Sequence, residues 1–336
     1  MARSLLPRLP ALTLSVAVAF TLFAAGQQGP PGQSGPPWMR TDIASSHTLK
    51  FGSSVLQVDF AAGPLDLPTD AVLAHIKAAA SAVVAYYGRF PVDRARMLIV
   101  PVAGRDGIFH GTTWPSRGGF QGFTRINIGE HTTAADLADD WMTTHEMVHY
   151  AFPSLNDDQH WMEEGQATYI EPVARVMTGE LEARQIWRDM VRDMPKGEPA
   201  PDDQGVNNTH TWGRTYWGGA LFCLMADVAI RRETGNRKSL QDALRAVVAA
   251  GGTIDHDWPL EQALATGDRA TGTHVLSQMY ASWKDKPVPV DLTKLWADLG
   301  IRSSSEGAIE FVSSAPLANI RESIAGEHVA GRVAAR

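Results

Sequence analysis

The chain has 336 residues, 44% hydrophobic and 20% charged, which is typical of a globular enzyme and excludes a disordered or fibrous protein. Its formal net charge of −7 gives no electrostatic reason to expect nucleic acid or an anionic membrane surface as a partner. A single cysteine, Cys223, excludes an intramolecular disulfide, and its apolar neighbours predict a buried, inert thiol.

The N-terminal residues carry an export signal. Arg3 and Arg8 form a positively charged region before an apolar run from Leu9 to Ala25, and small residues at 24–26 are suitable for cleavage. Residues 1–26 are therefore predicted to be a signal peptide or an uncleaved anchor, which implies a secreted or periplasmic protein. Residues 27–46 form a Pro/Gly-rich linker that cannot bury a core. No membrane contact beyond the possible anchor is expected.

A catalytic domain is predicted over residues 47–301, and residues 302–336 form a C-terminal tail to which no role is assigned. Strand signals lie at residues 47–60, 97–100 and 119–128, and apolar side chains at helical spacing predict a helix over 70–87. Helical patterns dominate the rest of the domain. The sequence thus predicts an α+β fold, with a small mixed β-sheet lobe followed by a mostly helical lobe.

A metal-ligand motif follows the last predicted strand. The capping box at 133–136 begins a helix that is expected to run without interruption to Pro153. Within it, His145, Glu146 and His149 form an H-E-x-x-H pattern. Residues four apart share a helix face, so both imidazoles can converge on one zinc ion while the carboxylate handles protons.

A catalytic zinc site needs a third protein ligand and one open position. The side chains within reach are Asp157, Asp158, His160, Glu163 and Glu164. Glu164 is chosen because it shares one side of a second predicted helix with Ala167 and Thr168, whereas Glu163 lies about 100° round the helix. Gly165 is expected to let the two metal-binding helices approach closely. His160 is expected at the mouth of this helix, as a surface histidine rather than a ligand.

Together with the stretch W-x-x-E-G-x-A-x-Y at 161–169, the motif resembles the gluzincin metallopeptidases. It is most similar to their glycyl aminopeptidase and aminopeptidase N-like branches. This resemblance implies a thermolysin-like, two-lobed metallopeptidase domain with one Zn²⁺ per chain. It also implies that His145, His149 and Glu164 are the ligands and that Glu146 is the general base.

The resemblance continues into the helical half. Tyr216 precedes Gly218 and a long apolar helix that is expected to end at Gly235. In the glycyl aminopeptidase family, a Tyr in this position hydrogen-bonds the oxyanion, which implies that role for Tyr216. His210 is a candidate second donor to the same oxygen. The alternatives are an aromatic residue that packs on the core and a loop histidine without a role.

The strand at 119–128 is expected to correspond to the edge strand with which gluzincins bind a peptide backbone. Gly119, Phe120 and Gln121 are therefore candidate substrate-binding residues. The related families carry a Glu here that binds the free amino terminus of the substrate, and a neutral Gln121 cannot supply that charge. The choice between endopeptidase and aminopeptidase stays open.

The function that follows is an exported, zinc-dependent metallopeptidase, whose partner is a peptide or protein substrate. It would hydrolyse peptide bonds by a zinc-bound water with Glu146 as general base. Two alternatives remain: a catalytically idle, zinc-containing peptide-binding module, and a zinc hydrolase of a non-peptide bond. The sequence indicates neither the substrate sequence nor the oligomeric state.

Overall fold

A five-stranded mixed sheet forms the first half of the structure, a computed structural model that describes residues 41–304 and 306–325. The predicted signal segment therefore lies outside the described residues. The strands are β1 (Ile43–Phe51), β2 (Ser54–Ala61), β3 (Arg94–Val102), β4 (Ile108–Arg117) and β5 (Phe120–Gly129). Their order is β1-β2-β3-β5-β4, with parallel β2–β3 and β3–β5 pairs and two antiparallel hairpins. The predicted mixed β-sheet lobe is confirmed.

Helix α1 (Thr69–Tyr87) connects β2 to β3, because parallel neighbours require a crossover. The apolar residues that predicted this helix form its buried side, from Val72 and Ile76 through Ala79 and Val83 to Tyr86. Gly88, with φ 80°, ends the helix in the left-handed conformation that glycine adopts without strain.

One strand was missing from the sequence prediction, and its presence changes the sheet. β4 is one of the two edge strands of the described sheet, with β1 at the other edge, whereas β5 lies between β3 and β4. The expectation that 119–128 forms the edge was therefore wrong. β4 shows no hydrophobic alternation and contains Pro115, which strands tolerate at edges because proline cannot donate to a ladder. Pairing with β5, rather than a local pattern, defines this strand.

The helix predicted to run from the capping box to Pro153 is broken. α2 (Ala134–Asp139) ends at Asp140, α3 (Met142–Val148) follows, and a 3₁₀ turn spans His149–Ala151. Asp140 has an extended backbone, and its carboxylate accepts hydrogen bonds from the backbone N–H groups of Met142 and Thr143. The same carboxylate lies 2.8 Å from Nε2 of His75 on α1. A long-range partner thus fixes a break that periodicity could not indicate.

Eight further α-helices and one short strand pair follow in the described fold. They are α4 (His160–Thr178), α5 (Ala183–Asp193), α6 (Gly219–Glu233), α7 (Leu240–Ala249), α8 (Leu260–Thr271), α9 (Val275–Trp283), α10 (Leu292–Leu299), α11 (Ala318–Ala325) and the strand pair β6 (Ile301–Ser303) and β7 (Ile309–Phe311). The described structure thus begins before residue 47 and continues beyond residue 301, with buried side chains such as Ile320 on α11. Within the described residues, no helix combines the length and apolar character needed to cross a bilayer.

Candidate metal centre

Two imidazoles and one carboxylate converge where α3 meets α4. Nε2 of His145 lies 3.0 Å from Oε2 of Glu164, and Nε2 of His149 lies 3.8 Å from the same oxygen. One ligand atom from each residue falls within 4.8 Å of the others. The structure thus brings together the three predicted ligands, called here the ligand cluster.

The spacing of these atoms fits a tetrahedral zinc ion. Bonds of about 2.0–2.1 Å to nitrogen and oxygen place neighbouring ligand atoms roughly 3.3 Å apart, between the two observed separations. The donor set of two imidazoles and one carboxylate is one that catalytic zinc uses. Small side-chain movements would close all three ligands on one ion.

Glu163, the competing third ligand, is directed elsewhere. Its Oε1 accepts a hydrogen bond from the backbone N–H of Leu155, and its Oε2 lies 3.1 Å from Nδ1 of His160. His160 is 54% exposed in its side chain, and its Nε2 lies 3.3 Å from Oε1 of Glu164. Hydrogen bonds to these two carboxylates raise the pKa of His160 to about 10. His160 is therefore an exposed residue at the start of α4, as predicted, and it also lies at the rim of the site.

Helix α4 places Glu164 through an unusually close helix contact. A Cβ atom added at Gly165 would lie 2.2 Å from the Cα of Gly219, at the start of α6. Gly165 was expected to allow approach between the two metal-binding helices, and this was wrong because the partner is α6. The absence of side chains at both positions lets the two backbones touch.

Glu146 lies beside the ligand cluster in a mostly buried position. Its Oε2 accepts a hydrogen bond of 2.7 Å from the hydroxyl of Thr113 on β4. Burial raises the pKa of Glu146 to about 7, against the opposing effects of the His145 charge and the Thr113 hydrogen bond. A pKa near neutrality suits a group that must both accept and return a proton.

The two histidines differ in their electrostatic surroundings. Burial lowers the pKa of His149 to about 4, which favours the neutral form that binds metal. For His145, burial also lowers the pKa, but the surrounding carboxylates, Glu164 first, outweigh this effect and raise it. Burial would raise the pKa of Glu164, but its hydrogen bonds with His145 and His160 outweigh burial and lower the pKa.

The buried Nδ1 atom of His145 has no hydrogen-bond partner among the described residues. Metal-binding histidines normally donate this N–H to an oxygen, which fixes the tautomer. Glu171 contributes to the raised pKa of His145 but is bonded to Arg175 at 2.9 Å. Burial raises the pKa of Glu171 to about 7. Glu171 thus lies near His145 without a direct hydrogen bond to it.

Two cavities meet at Tyr216. The strand-side cavity, about 430 Å³, is lined by residues 110–113 of β4 together with Glu146, His149, Glu164 and Tyr216. The helix-side cavity, about 400 Å³, lies between α4 and α5. Its lining combines charged side chains with His145 and with apolar and aromatic side chains that include Trp141, Trp212, Met190 and Tyr216. The ligand cluster therefore opens onto space large enough for a ligand.

Tyr216 is close to the ligand cluster, whereas His210 is not part of the site. The ring centroid of Tyr216 lies 6.2 Å from that of His145. Burial, with a contribution from the nearby Glu164 and Glu146 carboxylates, raises the pKa of Tyr216 to about 12, so its hydroxyl stays protonated at neutral pH. His210 is exposed on a loop and lines neither cavity.

The predicted substrate-binding residues Gly119, Phe120 and Gln121 also line neither cavity. The side-chain oxygen of Gln121 accepts from the backbone N–H of Asp93 at 2.7 Å, and its nitrogen donates to Asp255 at 2.9 Å. Gln121 therefore holds two loops together. The residues that sequence reasoning missed lie on β4, and their signal was weak because Gly111 and Pro115, residue types that are rare in strands, interrupt it.

Comparison with known proteins concerns the fold. No protein-family model matches the sequence, and none of the curated proteins does. The structure is similar to that of an aminopeptidase N family protein from Idiomarina loihiensis, with a TM-score of 0.56 and 13% identity over 76% of this chain and 49% of that one. An M1 zinc metallopeptidase from Deinococcus radiodurans gives a TM-score of 0.47 and 14% identity, covering 73% of this chain and 52% of that one.

The chain thus spans about half the length of the solved structures that it matches. At 13% identity the likeness extends to the fold and does not transfer an activity. The conclusion from the comparison is that this chain shares its fold with an aminopeptidase N family protein.

Proposed function

We propose that this protein is a zinc-dependent metallopeptidase of the gluzincin type, with a thermolysin-like arrangement of sheet and helices. The observation that carries the proposal is the position of Glu146, which lies beside three converging ligand side chains on the wall of an open cavity. A purely structural zinc site is normally closed by a fourth ligand and needs no adjacent base. This contrast favours an enzyme over an idle peptide-binding module.

His145, His149 and Glu164 would hold the ion, and a bound zinc ion supplies a Lewis acid that acidifies water and polarises a carbonyl group. Glu146 accepts the proton of the attacking water and returns it to the departing amine. Burial raises the pKa of this carboxyl group, which favours uptake of the proton. Tyr216, protonated at neutral pH, donates a hydrogen bond to the oxygen of the tetrahedral intermediate.

We further propose that the substrate backbone binds along β4. This strand is an edge of the described sheet, and its residues 110–113 line the same cavity as Glu146. An extended peptide can pair with the free edge of a strand through main-chain hydrogen bonds. The role first assigned to Gly119, Phe120 and Gln121 thus moves to the neighbouring strand.

The helix-side cavity is proposed to receive a side chain of the substrate. Its charged groups are largely paired with one another, as in the contacts of Arg175 with Glu171 and of Arg192 with Asp193. Trp141 and Trp212 are 48% and 60% exposed there. Exposed tryptophans around internally neutralised charges favour a large apolar or aromatic side chain.

We also propose that the protein acts outside the cytoplasm, because residues 1–26 have the charge and apolar pattern of an export signal. Fractionation of the host cell tests this directly. An intact, cytoplasmic chain would contradict it.

The proposed activity is tested by zinc analysis and peptide digestion on one preparation. We expect one zinc ion per chain and chelator-sensitive cleavage within a mixture of peptides with free or blocked amino termini. Cleavage of blocked peptides identifies an endopeptidase, and cleavage of free ones alone identifies an aminopeptidase. One bound zinc without cleavage of any peptide would contradict the proposal.

A further inference from the structure

A chain of three hydroxyl groups runs from the protein interior to Glu146. The hydroxyl of Tyr150 lies 2.5 Å from Oγ1 of Thr124, which lies 2.8 Å from Oγ1 of Thr113. Thr113 in turn lies 2.7 Å from Oε2 of Glu146 and 3.0 Å from the backbone carbonyl oxygen of Glu146. Tyr150 and Thr124 are fully buried, so neither hydroxyl reaches solvent.

The number of available protons sets the donor and acceptor of each hydrogen bond in this series of hydroxyl groups. Each hydroxyl has one proton to donate, and an ionised carboxylate has none. All three protons are used when Tyr150 donates to Thr124, Thr124 donates to Thr113, and Thr113 donates to Glu146. The carboxylate of Glu146 is closer to the Thr113 hydroxyl than the backbone carbonyl oxygen is, and unlike that oxygen it can carry a charge. Hydrogen bonds to a charged acceptor are the stronger ones.

The hairpin β4–β5 is shaped to receive these groups. Thr113 and Thr124 lie directly opposite each other in the hairpin register. Two positions before each threonine, and therefore on the same face, lies a glycine. A Cβ atom at Gly111 would be 2.7 Å from Cγ of Glu146, and one at Gly122 would be 2.6 Å from the ring of Tyr150.

This repeated Gly-x-Thr pattern therefore does two things on both strands. The glycines leave room for Glu146 and Tyr150, which lie four residues apart, and the threonines supply hydroxyls at the correct height. The hydrogen bonds of these hydroxyl groups within the described residues go to one another and to Glu146, and none reaches a side chain of the ligand cluster. The pattern serves Glu146.

We propose that Thr113 is a positioning residue for Glu146 and that Thr124 and Tyr150 hold Thr113 in place. This inference rests on the proposed function, because it gives Glu146 its role as base. By anchoring Oε2 to β4, Thr113 fixes the carboxylate beside the ligand cluster and keeps it from turning toward the histidines. The strand proposed to bind the substrate thereby also sets the position of the base.

The first test compares Thr113→Val with Thr113→Ser in the zinc-loaded, full-length protein. Valine keeps the shape of threonine and suits a strand, but it cannot donate. We expect Thr113→Val to lower kcat about 10- to 100-fold with KM changed less than about twofold, because a misplaced group costs this much. Thr113→Ser should recover kcat to within about threefold of the parent protein. Zinc content should be equal in all three proteins.

Thr124→Val and Tyr150→Phe test whether the loss of kcat becomes smaller with distance from Glu146 in the series of hydroxyl groups. Each leaves the Thr113 donor in place, so each should lower kcat less than Thr113→Val does, with Tyr150→Phe the mildest. Equal or larger losses at Tyr150 than at Thr113, with zinc content unchanged, would overturn the proposed order.

A second test needs no activity. Thr113→Val is measured alone and in a Glu146→Ala background, and the melting temperature of each protein is recorded. If the hydroxyl donates to the carboxylate, the substitution should lower Tm by about 2–4 °C in the parent and by less than half as much without the carboxylate. Equal shifts in both backgrounds would overturn the inference, whether or not the protein cleaves peptides.

The two tests separate the inference from the proposed function. If the parent protein has no peptidase activity but the Tm shifts are unequal, the proposed function is contradicted while the hydrogen bond between Thr113 and Glu146 is supported. An active parent in which Thr113→Val turns over like wild type overturns the positioning role and leaves the peptidase assignment intact.

Discussion

The two helices that supply the ligand cluster are built in opposite ways. α3, with His145, is seven residues long and preceded by a break, and His149 already lies in the following 3₁₀ turn. α4, with Glu164, runs for 19 residues through the centre of the fold and is buried along most of its length. Isolated helices as short as α3 are unstable in water, whereas a long buried helix is stabilised by packing.

This difference indicates that the two sides of the site depend on different forces. α3 packs through buried residues such as Met147 and Val148, and it is also held by polar contacts, from Asp140 directly before it and from Thr113 on β4. α4 is held by backbone packing, most closely where Gly165 meets Gly219. Substitutions in α4 should therefore damage the fold, and substitutions around α3 should damage the site with smaller effects on stability.

The largest loss of stability is expected from Gly165→Val. The new side chain would meet the α6 backbone, with its Cβ 2.2 Å from the Cα of Gly219, and backbone cannot move aside as a flexible side chain can. We expect a loss of about 3 kcal/mol or more in the free energy of unfolding, measured by urea denaturation. Met177→Ala, at an exposed position of the same helix, serves as the control and should stay within about 0.5 kcal/mol.

Tyr216→Phe tests the group that touches both sides of the site. Loss of an oxyanion donor should lower kcat about 10²-fold or more, with KM little changed and zinc retained. Steady-state kinetics on a cleaved peptide provide the measurement. A change in KM alone would indicate a packing role in the wall between the two cavities.

Asp140→Ala should weaken α3 without unfolding the protein. It removes the cap on two backbone N–H groups and the contact with His75, which together should cost about 1–2 kcal/mol in the free energy of unfolding. Asp140→Asn keeps a capping oxygen and should lose less. If both variants match the parent in urea denaturation, the cap contributes nothing to α3.

The smallest effect concerns the pH dependence of the same residue. Burial raises the pKa of Asp140, but hydrogen bonds from His75 and Thr143 outweigh it and lower the pKa below its ordinary value. A lowered pKa stabilises the fold above the unfolded pKa of about 3.9 and loses that contribution as the pH falls through the folded pKa. The stability difference between parent and Asp140→Asn should therefore be full at about pH 5–6 and shrink below about pH 4. A difference that grows on acidification would contradict this.

The contrast between the helices also explains what the sequence could predict. The sequence predicted the three residues of the ligand cluster, His145, His149 and Glu164, because their spacing along two helices indicates which side chains share a helix face. The break at Asp140 was not found, because apolar spacing does not indicate a cap inside a continuous pattern and because the second partner of Asp140, His75, lies 65 residues earlier. β4 was missed because only its pairing with β5 defines it. The partner of Gly165 was misassigned because Gly219, at the start of α6, lies 54 residues further along the chain.

The central claim is that Glu146 is the base of a zinc site and not one of its ligands. The most direct measurement compares the zinc content and the peptide turnover of the parent with those of Glu146→Gln. The account predicts equal zinc per chain and a loss of turnover of about 10³-fold or more, because an amide cannot accept the proton. Glu146→Gln protein that retains zinc and cleaves peptides at the parental rate would contradict it.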